Sequence, residues 1–126
     1  MKQLYNYKVL SVDKIVDGDT IDLTIDLGFK LTKSDRYRMA GYDACETFRP
    51  HNDLELQAGL KTKDYFASQI TLYKDALIVS TYKDTDIYGR YSGTITSPSV
   101  SGEVNINNNV LDFMVTNHLT KGDILK

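Results

Sequence analysis

The chain has a single cysteine, Cys45, no tryptophan and two prolines in its 126 residues. One cysteine rules out an internal disulfide framework, so the fold must rest on its core, and a reducing compartment suits it. No run of residues is long and apolar enough to span a bilayer. The opening "MKQLYNYKVL" lacks the apolar stretch of a signal peptide, so the expected location is the cytoplasm; a virus or mobile-element origin is compatible with that. Excess positive charge is missing too: the formal net charge is −2 and the isoelectric point about 5.6. That balance argues against a protein that holds nucleic acid through bulk charge, and leaves a local basic site open. Repeats, linkers and low-complexity segments are absent. What is present, 41% hydrophobic and 25% charged residues, is ordinary globular composition, enough for one domain over residues 1–126.

Alternation of apolar and polar residues marks the strands. "TIDLTIDL" alternates with period two and predicts a strand over 19–27, entered from a strand over 7–16 through an Asp17-Gly18 turn. A third strand is expected over 35–42. Asn52, with Glu55 three residues later, has the form of a capping box and opens a helix over 53–70. Leu56, Leu60, Lys63, Ala67 and Ile70 fall along one side of it, with Phe66 beside them. Strands over 75–83 and 88–96 follow. Beyond the loop "SPSVSGE", a helix over 107–119 carries Val110, Leu111, Met114, Val115 and His118 on one face. Five short strands and two helices predict an α+β domain whose strands close into an OB-type Greek-key barrel.

Asp19 breaks the pattern. It shares the parity of Ile21, Leu23 and Ile25, so its carboxylate is sent toward the apolar side. An inward carboxylate is costly unless it is paired or bound to a metal. Candidate partners are Arg38, Asp43 and Glu46 in "YRMAGYDACE", and Arg90 in "DIYGRYSGTI". Taken singly each has a plain reading. "DGDT" is an ordinary turn into a strand, Asp43 ends one, the arginines pack their stems on a surface, and Glu46 is a solvated loop acid.

Taken in order, "DGDTIDL", "RMAGYDACE" and "DIYGRYSGTI", with a helix between the second and third, resemble the staphylococcal nuclease (thermonuclease-like) family over about residues 8–96. The resemblance implies a calcium-dependent nuclease that hydrolyses DNA or RNA, single strands preferred, on an OB barrel. It implies that Asp19, Asp43 and the backbone carbonyl of Ala44 hold the Ca2+. Arg38 and Arg90 would hold the scissile phosphate, Glu46 would act on the attacking water, and Tyr88 would lie near the phosphate end of the nucleotide. The residue types suit that chemistry. Calcium takes six to eight hard oxygens, and planar guanidiniums offset the charge that builds on a phosphodiester under attack.

Several positions depart from the family pattern. Cys45 stands where a proline precedes the glutamate, and Ile87 where a basic residue precedes the tyrosine. The stretch between "DGDTIDL" and Arg38 is longer than usual, so the hairpin over 27–36 is expected to bulge or extend. The family's usual third, C-terminal helix is expected to be missing, which a partner or oligomerisation could make good. Cys45 reads better as a small buried residue than as a ligand, since calcium ignores sulfur. His51 and His118 lack metal-ligand spacing, and most of the nine tyrosines are expected in packing. The alternatives are a catalytically weak OB-fold module that binds nucleic acid or protein, and a phosphodiesterase for small nucleotides.

Overall fold

The alternation of "TIDLTIDL" is realised as written: Ile21, Leu23 and Ile25 are buried on one face of strand β2 (Thr20–Gly28), and Asp22, Thr24 and Asp26 lie on the other. The structure, a computed structural model, describes residues 3–99 and 102–125. Strand β1 (Tyr5–Asp17) is long and irregular. Its first half pairs with β4 (Ile78–Thr81) and its second half with β2, so one strand serves both sides of the barrel. β3 (Leu31–Met39) pairs with β2 through a tight hairpin in which Gly28, Phe29 and Lys30 all have positive φ. This ribbon is the extension expected over 27–36.

β5 (Tyr91–Ser99) pairs antiparallel with β4 and parallel with β3, through Tyr37–Tyr91, Arg38–Ser92 and Met39–Gly93. That parallel seam closes the five-stranded barrel and gives the α+β OB-type fold. The seam is short, so what reinforces it matters. Asn107 is 4% exposed. Its side chain accepts the Ile95 N–H at 2.9 Å and donates to the carbonyls of Ala40 (2.9 Å) and Gly93 (3.0 Å), riveting a helix across the closure. The expected loop over 97–103 is in part a hairpin: β6 (Gly102–Asn105) returns along β5, and residues 100 and 101 lie outside the described residues.

Helix α1 (Asp53–Tyr73) joins β3 to a 3-10 turn, Lys74–Ala76, ahead of β4. Asn52 caps it by accepting the Glu55 N–H, while the Glu55 carboxylate accepts the His51 N–H instead of that of Asn52. The buried stripe differs from the expected one. Glu55, Ala58, Gly59, Thr62, Phe66 and Ile70 face inward, and Leu60 is exposed. Close approach decides this. A Cβ on Gly59 would lie 2.7 Å from the Cys45 carbonyl oxygen, and one on Gly18 would lie 2.7 Å from Thr62 Cγ2. Small residues let the helix sit directly on the loop and hairpin that carry the candidate site, a fit that hydropathy alone cannot weigh.

Helix α2 (Ile106–Thr116) ends earlier than the expected 119, and the face is also narrower: Val110 and Met114 are buried, while Val115 and His118 are exposed. His118 takes the left-handed conformation (φ 56). The Leu119 N–H reaches the Met114 carbonyl and the His118 N–H that of Val115, a Schellman stop. Leu119 is thereby buried, and a single helical turn, α3 (Lys121–Ile124), follows under a Thr120 cap. Where the third helix was expected to be missing, the described residues form this four-residue helical turn.

Candidate functional site

The end of β3 and loop 40–52 are laid against the β1–β2 hairpin by four bonds, and Asp19 makes two of them. Its backbone carbonyl accepts the Met39 N–H at 2.7 Å, and its carboxylate oxygen Oδ2 accepts the Ala44 N–H at 3.1 Å. The buried Tyr42 hydroxyl donates to the Gly18 carbonyl at 2.6 Å, and Thr47 donates to the Asp17 carboxylate. The inward turn of Asp19 thus has a structural use: it fixes the chain at Ala44, between Asp43 and Glu46.

Asp19 is 7% exposed, and burial pushes its carboxyl above the ordinary value. The Asp43 charge adds to the rise, while the Ala44 N–H, the Thr20 hydroxyl and Arg38 oppose it. A buried carboxylate raised in this way is under-compensated, the state a nearby cation relieves. Asp43 is held from two sides: Arg38 Nη2 lies 3.0 Å from Oδ1 and Lys121 Nζ 3.1 Å from Oδ2. Partial burial pushes the Asp43 carboxyl up, but the two cations outweigh it and hold it below the usual range. Lys121 Nζ also lies 3.5 Å from Glu46 Oε1. Burial pulls the lysine down, yet the two acids more than reverse that and raise it.

Arg38 and Arg90 line one cleft of about 260 Å3, with Tyr82, Asp86 and Ser92 among its walls. The register explains the meeting. Arg38 pairs with Ser92 across the β3–β5 seam, and Arg90 precedes Ser92 by two positions, at the residue just before β5 begins. Asp86 sets the arginine: its Oδ1 accepts the Tyr88 and Arg90 N–H groups at 2.9 and 3.0 Å, and its Oδ2 accepts Arg90 Nε–H at 2.8 Å. The Arg90 guanidinium lies 5.2 Å from the Tyr88 ring centre, and both Ile87 and Tyr88 are exposed at the tip of this loop.

The structure therefore brings Asp19, Arg38, Asp43, Ala44 and Glu46 together around one loop, joins Arg90 to Arg38 through the cleft, and lays Tyr88 beside Arg90. Sequence reasoning missed Lys121. The available signal was Thr120 followed three residues later by Asp123, the form of a helix cap; Thr120 does accept the Asp123 N–H. It also missed Glu55 as a buried acid. Glu55 Oε1 takes the His51 N–H (2.6 Å) and pairs with His51 Nδ1 (2.8 Å). The Glu46 N–H also helps lower the Glu55 carboxyl, chiefly held down by the His51 N–H, but Oε2 has no hydrogen-bond partner among the described residues. Cys45 is fully buried beneath the C-terminal segment, its thiol pushed up chiefly by burial, which suits packing and not reactivity. His118 sits exposed in the turn after α2.

Among the described residues, no three or more His, Cys, Asp and Glu side chains form a ready metal centre. The donor types at Asp19 and Asp43 nevertheless suit a hard cation, since Asp19 Oδ2 binds the N–H of Ala44, the residue next to Asp43. No helix among the described residues is long and apolar enough to cross a membrane.

The raised Asp19 carboxyl gives a prediction. A folded value above the unfolded 3.8 means that charging Asp19 opposes folding. Its cost is absent below 3.8 and grows as pH rises through the folded value. Asp19→Asn keeps an oxygen for the Ala44 N–H and removes the charge. Without metal it is expected to be at least as stable as the parent at neutral pH, with the advantage vanishing in acid. Urea midpoints at both pH values check this; a neutral-pH loss that persists in acid would mean the carboxylate is needed by its partners.

The chain matches no protein-family model and no curated protein.

Proposed function

We propose that this protein is a metal-dependent phosphodiesterase of the staphylococcal nuclease type, acting on DNA or RNA with single strands preferred. The observation that carries the reading is the meeting of Arg38 and Arg90 in one cleft, with Arg38 simultaneously paired to Asp43 beside Asp19 and Glu46. Two guanidiniums, one from β3 and one from the loop that leads into β5, converge on one small cleft and suit a phosphodiester, whose two free oxygens each accept a planar fork. Their positive charge is in place before the reaction and offsets the charge that accumulates on the phosphoryl oxygens under attack. Glu46, half exposed on the loop that also carries Asp43, is the group to take a proton from the attacking water. Tyr88 offers an exposed ring beside Arg90 for the nucleotide. Asp19, Asp43 and the Ala44 carbonyl are the residues that would hold Ca2+. When bound, the ion supplies further charge stabilisation at the phosphoryl group.

A second reading is a catalytically weak binding module on the same barrel. The engagement of Asp43 by Arg38 and Lys121 favours it, since both carboxylate oxygens are already occupied. A small-nucleotide phosphodiesterase is a third, in keeping with the cleft's size and the net charge of −2. Incubation of single-stranded DNA with the protein and calcium, with a dinucleotide as competitor, tests the set. Cleavage that a dinucleotide inhibits poorly is the expected result. Cleavage of the dinucleotide in preference moves the substrate to small nucleotides, and no cleavage by the folded protein moves the function to binding.

A further inference from the structure

Lys121 does not hang from a loose tail. The Schellman stop at His118 turns the chain, Leu119 is buried against the 45 region, and Thr120 caps the turn that follows. The Thr120 hydroxyl donates to Asp123 Oδ2 at 2.8 Å, and its carbonyl accepts the Ile124 N–H at 3.0 Å. This anchored segment delivers an ammonium to Asp43 Oδ2 (3.1 Å) and Glu46 Oε1 (3.5 Å). Arg38 takes the other Asp43 oxygen at 3.0 Å. Asp43 is the more exposed of the two candidate cation-holding acids, so it is the one a divalent ion reaches from solvent.

We propose that Lys121 is a built-in cation of this site: its ammonium bridges Asp43 and Glu46 in the metal-free protein and competes with a divalent ion for Asp43. The inference rests on the metal-binding part of the proposed function. A divalent ion and the ammonium cannot both take Asp43 Oδ2 at close range without mutual repulsion. Loading therefore requires the lysine to withdraw, which also frees Glu46 from its only described ion pair. Lys121 sets how much cation the site needs, and it keeps the two acids from repelling one another when the cation is scarce.

Calorimetric titration of calcium into the parent protein, Lys121→Gln, Lys121→Arg and Asp43→Asn tests this without any turnover. Lys121→Gln is expected to bind calcium about tenfold more tightly, a value discounted for partial exposure of the pair. Lys121→Arg keeps the charge and should keep the parent affinity, and Asp43→Asn should lose most binding. Without metal, Lys121→Gln should melt lower than the parent, and calcium should raise its melting temperature by more. Parent-like affinity in Lys121→Gln, with binding still lost in Asp43→Asn, overturns the competition and leaves the proposed function standing. Absence of calcium binding in every variant overturns the metal reading and the inference together.

Discussion

Asn107→Ala is expected to lower the unfolding free energy by about 3–5 kcal/mol, because each buried backbone group left without a partner costs roughly 1–3 kcal/mol. Two such groups depend on this side chain, the Ile95 N–H and the Ala40 carbonyl, while its third partner, the Gly93 carbonyl, also accepts the Ala40 N–H at 2.9 Å. A loss of that size is a large share of the roughly 5–15 kcal/mol that holds a domain folded. The effect should reach the cleft as well. The β3–β5 seam that Asn107 braces is what places Arg38 opposite Ser92 and hence beside Arg90. Asn107→Asp keeps an acceptor for Ile95 but loses both donations and buries a charge, so it should be no better than alanine. Urea unfolding of the three proteins gives the comparison. A cost below about 1 kcal/mol for Asn107→Ala would mean that water replaces the side chain and the closure stands without it.

Arg90→Ala is expected to reduce phosphodiester hydrolysis by about 10³-fold, the scale seen when one preorganised charge-stabilising donor is removed from a reaction centre. Arg90→Lys should restore only part of this, because an ammonium lacks the planar fork. Stability should hardly move. The ion pair with Asp86 is partly exposed, its carboxyl held below the usual range chiefly by the Arg90 N–H, and exposed pairs contribute little to stability. This contrast separates the arginine's catalytic use from a structural one, which Arg38 cannot do as cleanly because its removal also unbalances Asp43. Single-turnover rates alongside denaturation curves measure both. Parent-like rates in Arg90→Ala would place the reaction outside the cleft.

Much of the barrel was readable because strand alternation is local. Residues 19–27 declared their buried face through Ile21, Leu23 and Ile25, and Asn52 with Glu55 declared the start of α1. What failed was set by contacts far away in sequence. The inward face of α1 follows Ala58, Gly59 and Thr62, because the Cys45–Thr47 backbone must pass close to it; hydropathy favoured Leu56 and Leu60. β6 was hidden in a polar, glycine-containing stretch that only its pairing with β5 makes a strand. The end of α2 depends on a left-handed histidine, a conformation that carries little sequence signal.

The same division runs through the candidate site. Asp19, Arg38, Asp43, Glu46 and Arg90 stood out by residue type and order, and the barrel brings them to one region. Lys121 did not, because nothing near it in the chain hints at Asp43 and Glu46; the turn at His118 creates that contact. Asp19 shows how a residue can serve twice. Its parity marked it as chemically unusual, and in the fold it also pins the Ala44 backbone.

The most direct measurement is hydrolysis of single-stranded DNA with calcium, with magnesium and with a chelator, for the parent protein and for Glu46→Gln side by side. Calcium-dependent cleavage by the parent, absent with chelator and lost by several orders of magnitude in Glu46→Gln, is the predicted result. Cleavage that persists unchanged in Glu46→Gln or in chelator, or no cleavage at all by a folded parent protein, would contradict a metal-dependent phosphodiesterase centred on this loop and cleft.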